Sequence, residues 1–105
     1  MNAHSTPTTK LSFDPAKLPA DLWIGGKWRP GSGARRIDVL DPSTGKPIAA
    51  IADASVEDAM EAVAAAHAAG PGWAATAPRQ RGEILRRCFE LMIERREMLA
   101  ELISL

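Results

Sequence analysis

Residues 36–52 read RIDVLDPSTGKPIAAIA, and this stretch predicts two strands joined by a tight turn. Polar and apolar residues alternate over most of the first five positions, which suits a half-buried strand. The central DPSTG favours a turn, because Pro42 fixes φ early in the turn and Gly45 can take a left-handed conformation. The apolar run from Pro47 to Ala52 then predicts the second strand.

The residues before this stretch predict a second, shorter hairpin. Leu22-Trp23-Ile24 and Lys27-Trp28-Arg29 flank Gly25-Gly26, and both glycines can take positive φ without a Cβ clash. Pro30-Gly31-Ser32-Gly33 follows as a loop. Residues 1–20 are rich in Ser, Thr and Pro, and we expect them to form a mobile tail.

After the second strand of residues 36–52, apolar residues recur at helical spacing, which predicts a first helix. Ser55 and Asp58 at its start resemble a capping box, in which the serine oxygen accepts a backbone hydrogen bond. We predict that Gly70-Pro71-Gly72 ends this helix, because glycine suits the C-cap and proline cannot continue a helix. His67 would then lie near the helix C-terminus, where its protonated form is favoured.

A second helix is predicted from Pro78 onward, with Thr76 as its N-cap. Its apolar positions form one face, which we call the apolar stripe: Ile84, Leu85, Cys88, Leu91, Met92, Leu99, Leu102 and Ile103. No Gly, Pro or basic residue marks a stop in the final turns, so the helix would measure roughly 40 Å at ~1.5 Å per residue. A compact domain of this size is roughly 35 Å across. The stripe therefore needs more cover than the rest of the chain supplies.

Two explanations of the uncovered stripe stay open at this point. The chain is a piece cut from a larger protein, or it is a small non-catalytic helical module that pairs with itself or a partner through residues 84–103. The stripe alone does not separate the two, because exposed apolar surface arises in both cases.

Charge, cysteine content and apolar runs restrict the expected partners, the disulfide bonding and the cellular location. Lys plus Arg and Asp plus Glu each number 13, and the resulting net charge of zero favours neither nucleic acid nor an anionic membrane surface. The arginine pairs at 35–36, 86–87 and 95–96 lie beside acids, so we expect them on solvated or ion-paired faces. One cysteine excludes an intramolecular disulfide framework. With no secretory signal and no run near the ~20 apolar residues of a membrane span, we expect a cytoplasmic protein.

Few residues are candidates for chemistry, and each has a structural explanation. Cys88 lies in the middle of a helix on the apolar stripe, and we predict that it packs there rather than acting as a nucleophile. His4 and His67 have no second ligand at metal spacing and are expected at the surface. Gly25-Gly26 and Gly31-Ser32-Gly33 match no phosphate-binding motif, so we assign both to turns.

Acidic and aromatic residues receive structural assignments as well. The acids at the start of the first helix suit the positive end of its dipole, and they are Glu57, Asp58 and Glu61. The tryptophans are predicted to pack in the core or between elements, and they are Trp23, Trp28 and Trp73. We therefore predict no catalytic, cofactor-binding or metal-binding residue in this chain.

Four segments, in this order, resemble the aldehyde dehydrogenase superfamily. Ile24-Gly25-Gly26-Lys27-Trp28 is similar to the family's first hairpin. Residues 39–49 resemble its Asn-Pro-Ala-Thr-Gly-Glu-type turn and the strand that follows, with Asp41 where asparagine is commoner. An alanine-rich helix and then residues 76–92 complete the likeness, which is greatest to the succinate-semialdehyde dehydrogenase branch.

The resemblance implies an α/β fold over residues 21–105: the N-terminal portion of an aldehyde dehydrogenase cofactor-binding domain, incomplete as a domain. It would contain a small unit of β-hairpins and strands followed by two helices. Members are homo-oligomers that oxidise an aldehyde to its acid with NAD or NADP, and the aldehyde implied here is succinate semialdehyde. The family's catalytic Cys and Glu and its nucleotide loop lie downstream, with no matching position in this sequence. The resemblance therefore implies an inactive piece that binds no cofactor alone and whose partner is the remainder of the polypeptide.

Overall fold

The computed structural model describes residues 11–105, which form two antiparallel ribbons followed by three helices. A 3-10 turn at Pro15–Lys17 precedes the main elements, which are β1 Leu22–Ile24, β2 Lys27–Arg29, β3 Arg36–Leu40, β4 Pro47–Ala52, α1 Val56–Ala75, α2 Pro78–Glu94 and α3 Arg96–Ser104. The predicted α/β class is confirmed. The first ten residues of the predicted tail over 1–20 lie outside the described residues.

The first ribbon has the predicted two-residue turn. β1 pairs with β2 so that Ile24 lies opposite Lys27. Gly25 and Gly26 take φ of 60° and 79°, and positive φ at both central residues matches the twist of the flanking strands. The glycine pair is therefore needed by the turn itself.

The second ribbon is closed by a turn that Asp41 braces. The Asp41 carboxylate accepts hydrogen bonds from the backbone N–H and the hydroxyl of Ser43, at 2.8 and 2.7 Å. These bonds favour the ionised carboxylate and lower the pKa of Asp41. Gly45 takes the expected positive φ of 70°. The prediction of a strand, turn and strand over residues 36–52 is confirmed.

The first helix begins as predicted but continues past the predicted stop. Gly70-Pro71-Gly72 does not end α1, and neither of these glycines has the positive φ of a left-handed C-cap. The helix ends at Ala75, because its C-cap Thr76 is already extended, with φ −65° and ψ 135°. Ala77 is extended as well, with φ −54° and ψ 137°, the conformation that a following proline favours.

Thr76 and Arg95 correct the predicted limits of the second helix. Thr76 is the C-cap of α1 and not the N-cap of α2, because its hydroxyl donates to the carbonyl of Gly72 at 2.9 Å. The single helix predicted from Pro78 onward is divided at Arg95, whose φ of −101° and ψ of 18° depart from helical values. Its N–H still donates to the carbonyl of Leu91 at 3.0 Å, so the apolar stripe continues from α2 into α3.

The described residues bury little apolar surface. Ala52 is the only buried apolar residue within 11–105. The radius of gyration is 18.8 Å, whereas a compact domain of 100 residues has about 13 Å. The stripe is open to solvent, with Leu102 at 39% and Ile103 at 86% exposed. The strand β3, predicted to be half-buried, is exposed along its whole length.

The tryptophans are predicted to pack in the core or between elements, and the structure shows no core position for them but a contact between β1 and β2 for two of the three. Trp23, Trp28 and Trp73 are all exposed. Trp23 and Trp28 contact each other across the first ribbon, with ring centroids 4.9 Å apart and planes tilted by 55°. They form a cross-strand aromatic pair, because Trp23 and Trp28 are directly opposite each other in the ribbon.

Gly31 lies close to the backbone of Asp53. A Cβ added at residue 31 would collide with the backbone carbonyl of Asp53. Gly31→Ala is expected to destabilise the fold by about 1–3 kcal/mol, the usual cost of overpacking. Gly82→Ala is the matched control, since space around that helical position is open, and it should stabilise by about 0.5–1 kcal/mol. Urea titrations followed by circular dichroism measure both, and equal midpoints for the two variants would contradict the contact.

Candidate functional site

The most elaborate polar cluster surrounds Asp58, the buried acid in the first turn of α1. One carboxylate oxygen accepts hydrogen bonds from the backbone N–H groups of Ser55 at 2.9 Å and Ser32 at 3.0 Å. The other accepts from the guanidinium of Arg29 at 2.9 Å. This residue, at 2% exposure, thereby connects the hairpin, the loop after it and the start of the helix.

Ser55 completes the predicted capping box. Its hydroxyl accepts from the backbone N–H of Asp58 at 3.1 Å, while the Asp58 carboxylate accepts from the backbone N–H of Ser55. The Ser55 hydroxyl also lies 2.8 Å from that of Ser32. Two otherwise unpaired donors at the helix start are satisfied in this way.

Arg29 extends the cluster to a second acid. Its other terminal nitrogen donates to Glu61 at 2.7 Å, and the guanidinium also donates to the carbonyl of Pro30 at 3.1 Å. The hydrogen bond to Asp58 is the main cause of a raised pKa for Arg29. The sequence identified the acids but missed Arg29 and Ser32, because nothing in the local pattern indicates that the hairpin end reaches α1.

The pKa of Asp58 lies far below its ordinary value of 3.8, chiefly because the backbone N–H groups of Ser55 and Ser32 hydrogen-bond to the ionised form. Burial opposes this shift, and the hydrogen bond from Arg29 adds to it. A carboxylate held ionised by three donors has no proton to give. The cluster is therefore suited to holding the fold together and not to acid–base chemistry.

The same cluster argues against a nucleotide at this helix start. A dinucleotide phosphate binds to free backbone N–H groups at a helix N-terminus or a glycine-rich loop. Here Asp58 already occupies the N–H groups of Ser32 and Ser55, and Glu57 and Glu61 add like charge. This N-terminus and the Gly31-Ser32-Gly33 loop do not fit the phosphates of NAD or NADP.

The remaining candidate residues lie apart from this cluster. Cys88 is exposed on α2, so the packing predicted for it finds no partner within residues 11–105. His67 is exposed well inside α1, because the helix runs on to Ala75, and the predicted position at a helix C-terminus is wrong. His4 lies outside the described residues. Among residues 11–105, no group of three His, Cys, Asp or Glu side chains could hold a metal ion.

The predicted ion pairing of the arginine runs is confirmed for several members. Arg36 contacts Asp21 at 2.7 Å, and Arg86 contacts Glu90 at 3.3 Å. Such exposed pairs contribute little stability individually. No helix in the described part of the chain is long and apolar enough to cross a membrane.

The described residues also form an apolar groove of about 720 Å³. Its walls come from the segment 15–20, from both ribbons and from the end of α3. The lining side chains that matter here are Leu18, Trp28, Val39, Ile51, Leu102 and Leu105. The side chains that line this apolar groove among residues 11–105 are uncharged and mostly apolar, which suits packing against apolar surface.

Comparison with known proteins decides the family. Residues 28–105 match the model of the aldehyde dehydrogenase family. The chain belongs to the aldehyde dehydrogenase family.

Individual aldehyde dehydrogenases agree with this assignment. The mitochondrial succinate-semialdehyde dehydrogenase of Mus musculus is 33% identical over 104 residues, which cover 94% of this chain and 20% of the relative. N-succinylglutamate 5-semialdehyde dehydrogenase 2 of Caulobacter vibrioides is 42% identical over 87 residues, covering 83% of this chain and 18% of that protein.

A solved structure agrees as well. The crystal structure of succinate-semialdehyde dehydrogenase from Burkholderia pseudomallei superposes with a TM-score of 0.68 at 31% identity, over 75% of this chain and 17% of that one. The chain thus spans about a fifth of the length of the aldehyde dehydrogenases it matches, and it corresponds to an N-terminal segment of them. The resemblance to the succinate-semialdehyde branch is confirmed.

The lowered pKa of Asp58 predicts an acid-dependent stability of this aldehyde dehydrogenase segment. A carboxyl whose pKa is lower in the folded state stabilises the fold above its unfolded pKa of 3.8, and that contribution is lost as pH falls below this value. Asp58→Asn should therefore be less stable at neutral pH and should lose less stability between pH ~5 and ~2.

Circular dichroism at a series of pH values measures this difference. Asp41 and Glu101 also have lowered pKa values and add to the acid dependence of both proteins. The contribution of Asp58 is therefore the difference between the titration of the parent and that of Asp58→Asn. Parallel titrations of the parent and of Asp58→Asn would contradict the role given to Asp58.

Proposed function

We propose that this chain supplies the N-terminal segment of an NAD(P)-dependent aldehyde dehydrogenase that oxidises succinate semialdehyde to the acid, and that it is inactive by itself. The observation that carries the proposal is the family match over residues 28–105 of a chain that spans only about a fifth of its relatives. The substrate is proposed from the names of the most similar relatives, four of which are succinate-semialdehyde dehydrogenases.

Inactivity is proposed from the chemistry of the described residues. Aldehyde oxidation needs a nucleophile, a base and a bound nicotinamide in one site. The candidate nucleophile, Cys88, is exposed on α2. The candidate base, Asp58, is ionised and fully engaged in hydrogen bonds within the fold. Binding of NAD or NADP is therefore assigned to the remainder of the polypeptide.

The cellular location and the partners of the chain are proposed as well. We propose a cytoplasmic protein, whose partners are the remainder of the polypeptide and further copies in a homo-oligomer. Open apolar surface on α2 and α3 supports the need for such cover, since Leu85 is 62% and Met92 is 59% exposed. Neither a nucleic acid nor a membrane is proposed as a partner.

The exposed stripe also favours a second candidate function, a non-catalytic module that pairs through residues 84–103. Ile84 at 53% and Ile103 at 86% exposure leave an apolar face of the kind that marks interaction surfaces. Light scattering separates the candidates. A discrete dimer with cooperative melting would favour the module, whereas concentration-dependent aggregation would favour the enzyme segment.

The enzyme segment is tested by exchange into a relative. A chimera in which this chain replaces the matching segment of the Burkholderia pseudomallei enzyme is expected to reduce NAD or NADP in the presence of succinate semialdehyde. The free chain, and the same enzyme lacking the segment, should show no reduction, because neither contains a completely covered fold. Activity of the free chain, or a folded but inactive chimera, would contradict the proposal.

A further inference from the structure

We propose that Glu101 acts as a latch that holds the last two helices against the segment 12–20, and that these helices swing away from the ribbons when the latch opens. The two helices are α2 and α3, which together we call the arm. Their hinge is at Thr76 and Ala77, between α1 and α2. The chain thus contains a conformational device that sets the direction of the arm relative to the ribbons.

The latch consists of two hydrogen bonds to one carboxylate. Glu101 on α3 accepts from the backbone N–H of Ser12 at 3.1 Å and from its hydroxyl at 2.6 Å. Hydrogen bonds to an ionised acceptor are stronger than those between neutral groups, and the bonds from the hydroxyl and the N–H both lower the pKa of Glu101. Because Ser12 and Glu101 are 89 positions apart, their contact joins the two ends of the described chain.

The segment that the latch holds is itself fixed to a ribbon. The carbonyl of Ala20 accepts from the backbone N–H of Ala52 in β4 at 2.8 Å. Arg36 in β3 donates to the same carbonyl at 3.2 Å and to Asp21 at 2.7 Å. The segment 12–20 therefore belongs to the ribbon side of the molecule, and Glu101 connects the arm to that side.

No comparable polar contact holds the arm elsewhere within residues 11–105. The ion pairs of α2 and α3 there all lie inside the arm, and they are Arg79–Glu83, Arg86–Glu90, Arg87–Glu90 and Arg96–Glu97. The apolar groove of about 720 Å³ lies between the end of α3 and the ribbons, and Leu102 on its α3 side is still 39% exposed. Apolar packing is therefore too open at this end of the arm to replace the latch.

The junction between α1 and α2 is suited to act as the hinge. Thr76 has φ −65° and ψ 135°, and Ala77 has φ −54° and ψ 137°, so two successive residues are extended between the helices. Hinges are commonly a few residues at the ends of such elements, which absorb the change in φ and ψ. The Thr76 hydroxyl bonds back to Gly72 in α1, and α2 has no side-chain cap. The side chains of the junction therefore do not fix the angle between the two helices.

The test measures the distance between the arm and the first ribbon. Nitroxide labels are attached at Ile103→Cys, an α3 position that is 86% exposed, and at Lys27→Cys, an exposed position of β2. The chain's own cysteine is removed by Cys88→Ser in this labelled parent. Double electron–electron resonance gives the distribution of distances, and we expect one narrow distance. A broad distribution in the labelled parent would overturn the proposal.

Two alanine substitutions on α3 locate the latch. Glu101→Ala removes the acceptor, whereas Glu97→Ala removes an acid one turn earlier, whose ion pair with Arg96 lies inside the arm. Alanine favours a helix at both positions. Glu101→Ala should raise the population at longer distances about tenfold, because two hydrogen bonds to a charged group are lost. Glu97→Ala should keep the distribution of the labelled parent. The same distribution in all three proteins would refute the latch.

Ser12→Ala tests the contact from its other side, because this residue lies outside the arm and its substitution leaves α3 unchanged. It removes the hydroxyl bond and keeps the N–H bond, so we expect a smaller increase at longer distances than in Glu101→Ala. Combined with Glu101→Ala it should add nothing, since both substitutions break one contact. Circular dichroism checks that the variants have equal helix content. Additive increases in the double variant would contradict a direct contact between the two residues.

Discussion

The ion pair between Arg29 and Asp58 joins the end of the first hairpin to the start of α1. The same carboxylate accepts the backbone N–H of Ser32 in the loop and caps the helix through Ser55. Because the two oxygens of one buried carboxylate serve three parts of the chain, the first ribbon, its loop and α1 keep a defined arrangement. Ala52 is the only buried apolar residue in the part described, so hydrogen bonds and not apolar burial fix this local arrangement.

Local order and global stability have different sources in this chain. Ribbons and helices are specified by turns, caps and backbone hydrogen bonds, whereas net stability of a domain comes mainly from apolar burial. The apolar stripe on α2 and α3 and the apolar groove between α3, the ribbons and residues 15–20 are both open. In an aldehyde dehydrogenase of five times this length, such surfaces are where the rest of the fold is needed. The proposed function follows from that need.

The sequence predicted those features that depend on neighbouring residues. Gly25-Gly26, the turn before Gly45 and the Ser55–Asp58 box are local signals, and all three are confirmed. The predicted end of α1 is wrong, because Gly70-Pro71-Gly72 stays helical and the helix ends where Thr76 becomes extended. The partners Arg29 and Ser32 could not be predicted, because their contacts with Asp58 join residues more than 20 positions apart. Burial of the tryptophans failed for a different reason: a residue type predicts burial only where the chain supplies a core.

The exposed apolar side chains of α2 and α3 require cover by polypeptide from outside residues 11–105. Backbone amide hydrogen exchange of these helices, in the free chain and in the chimera with the Burkholderia pseudomallei enzyme, tests it most directly. We expect rapid exchange throughout α2 and α3 in the free chain and strong protection of the same amides in the chimera. Strong protection of both helices in a compact monomer of the free chain would contradict the claim.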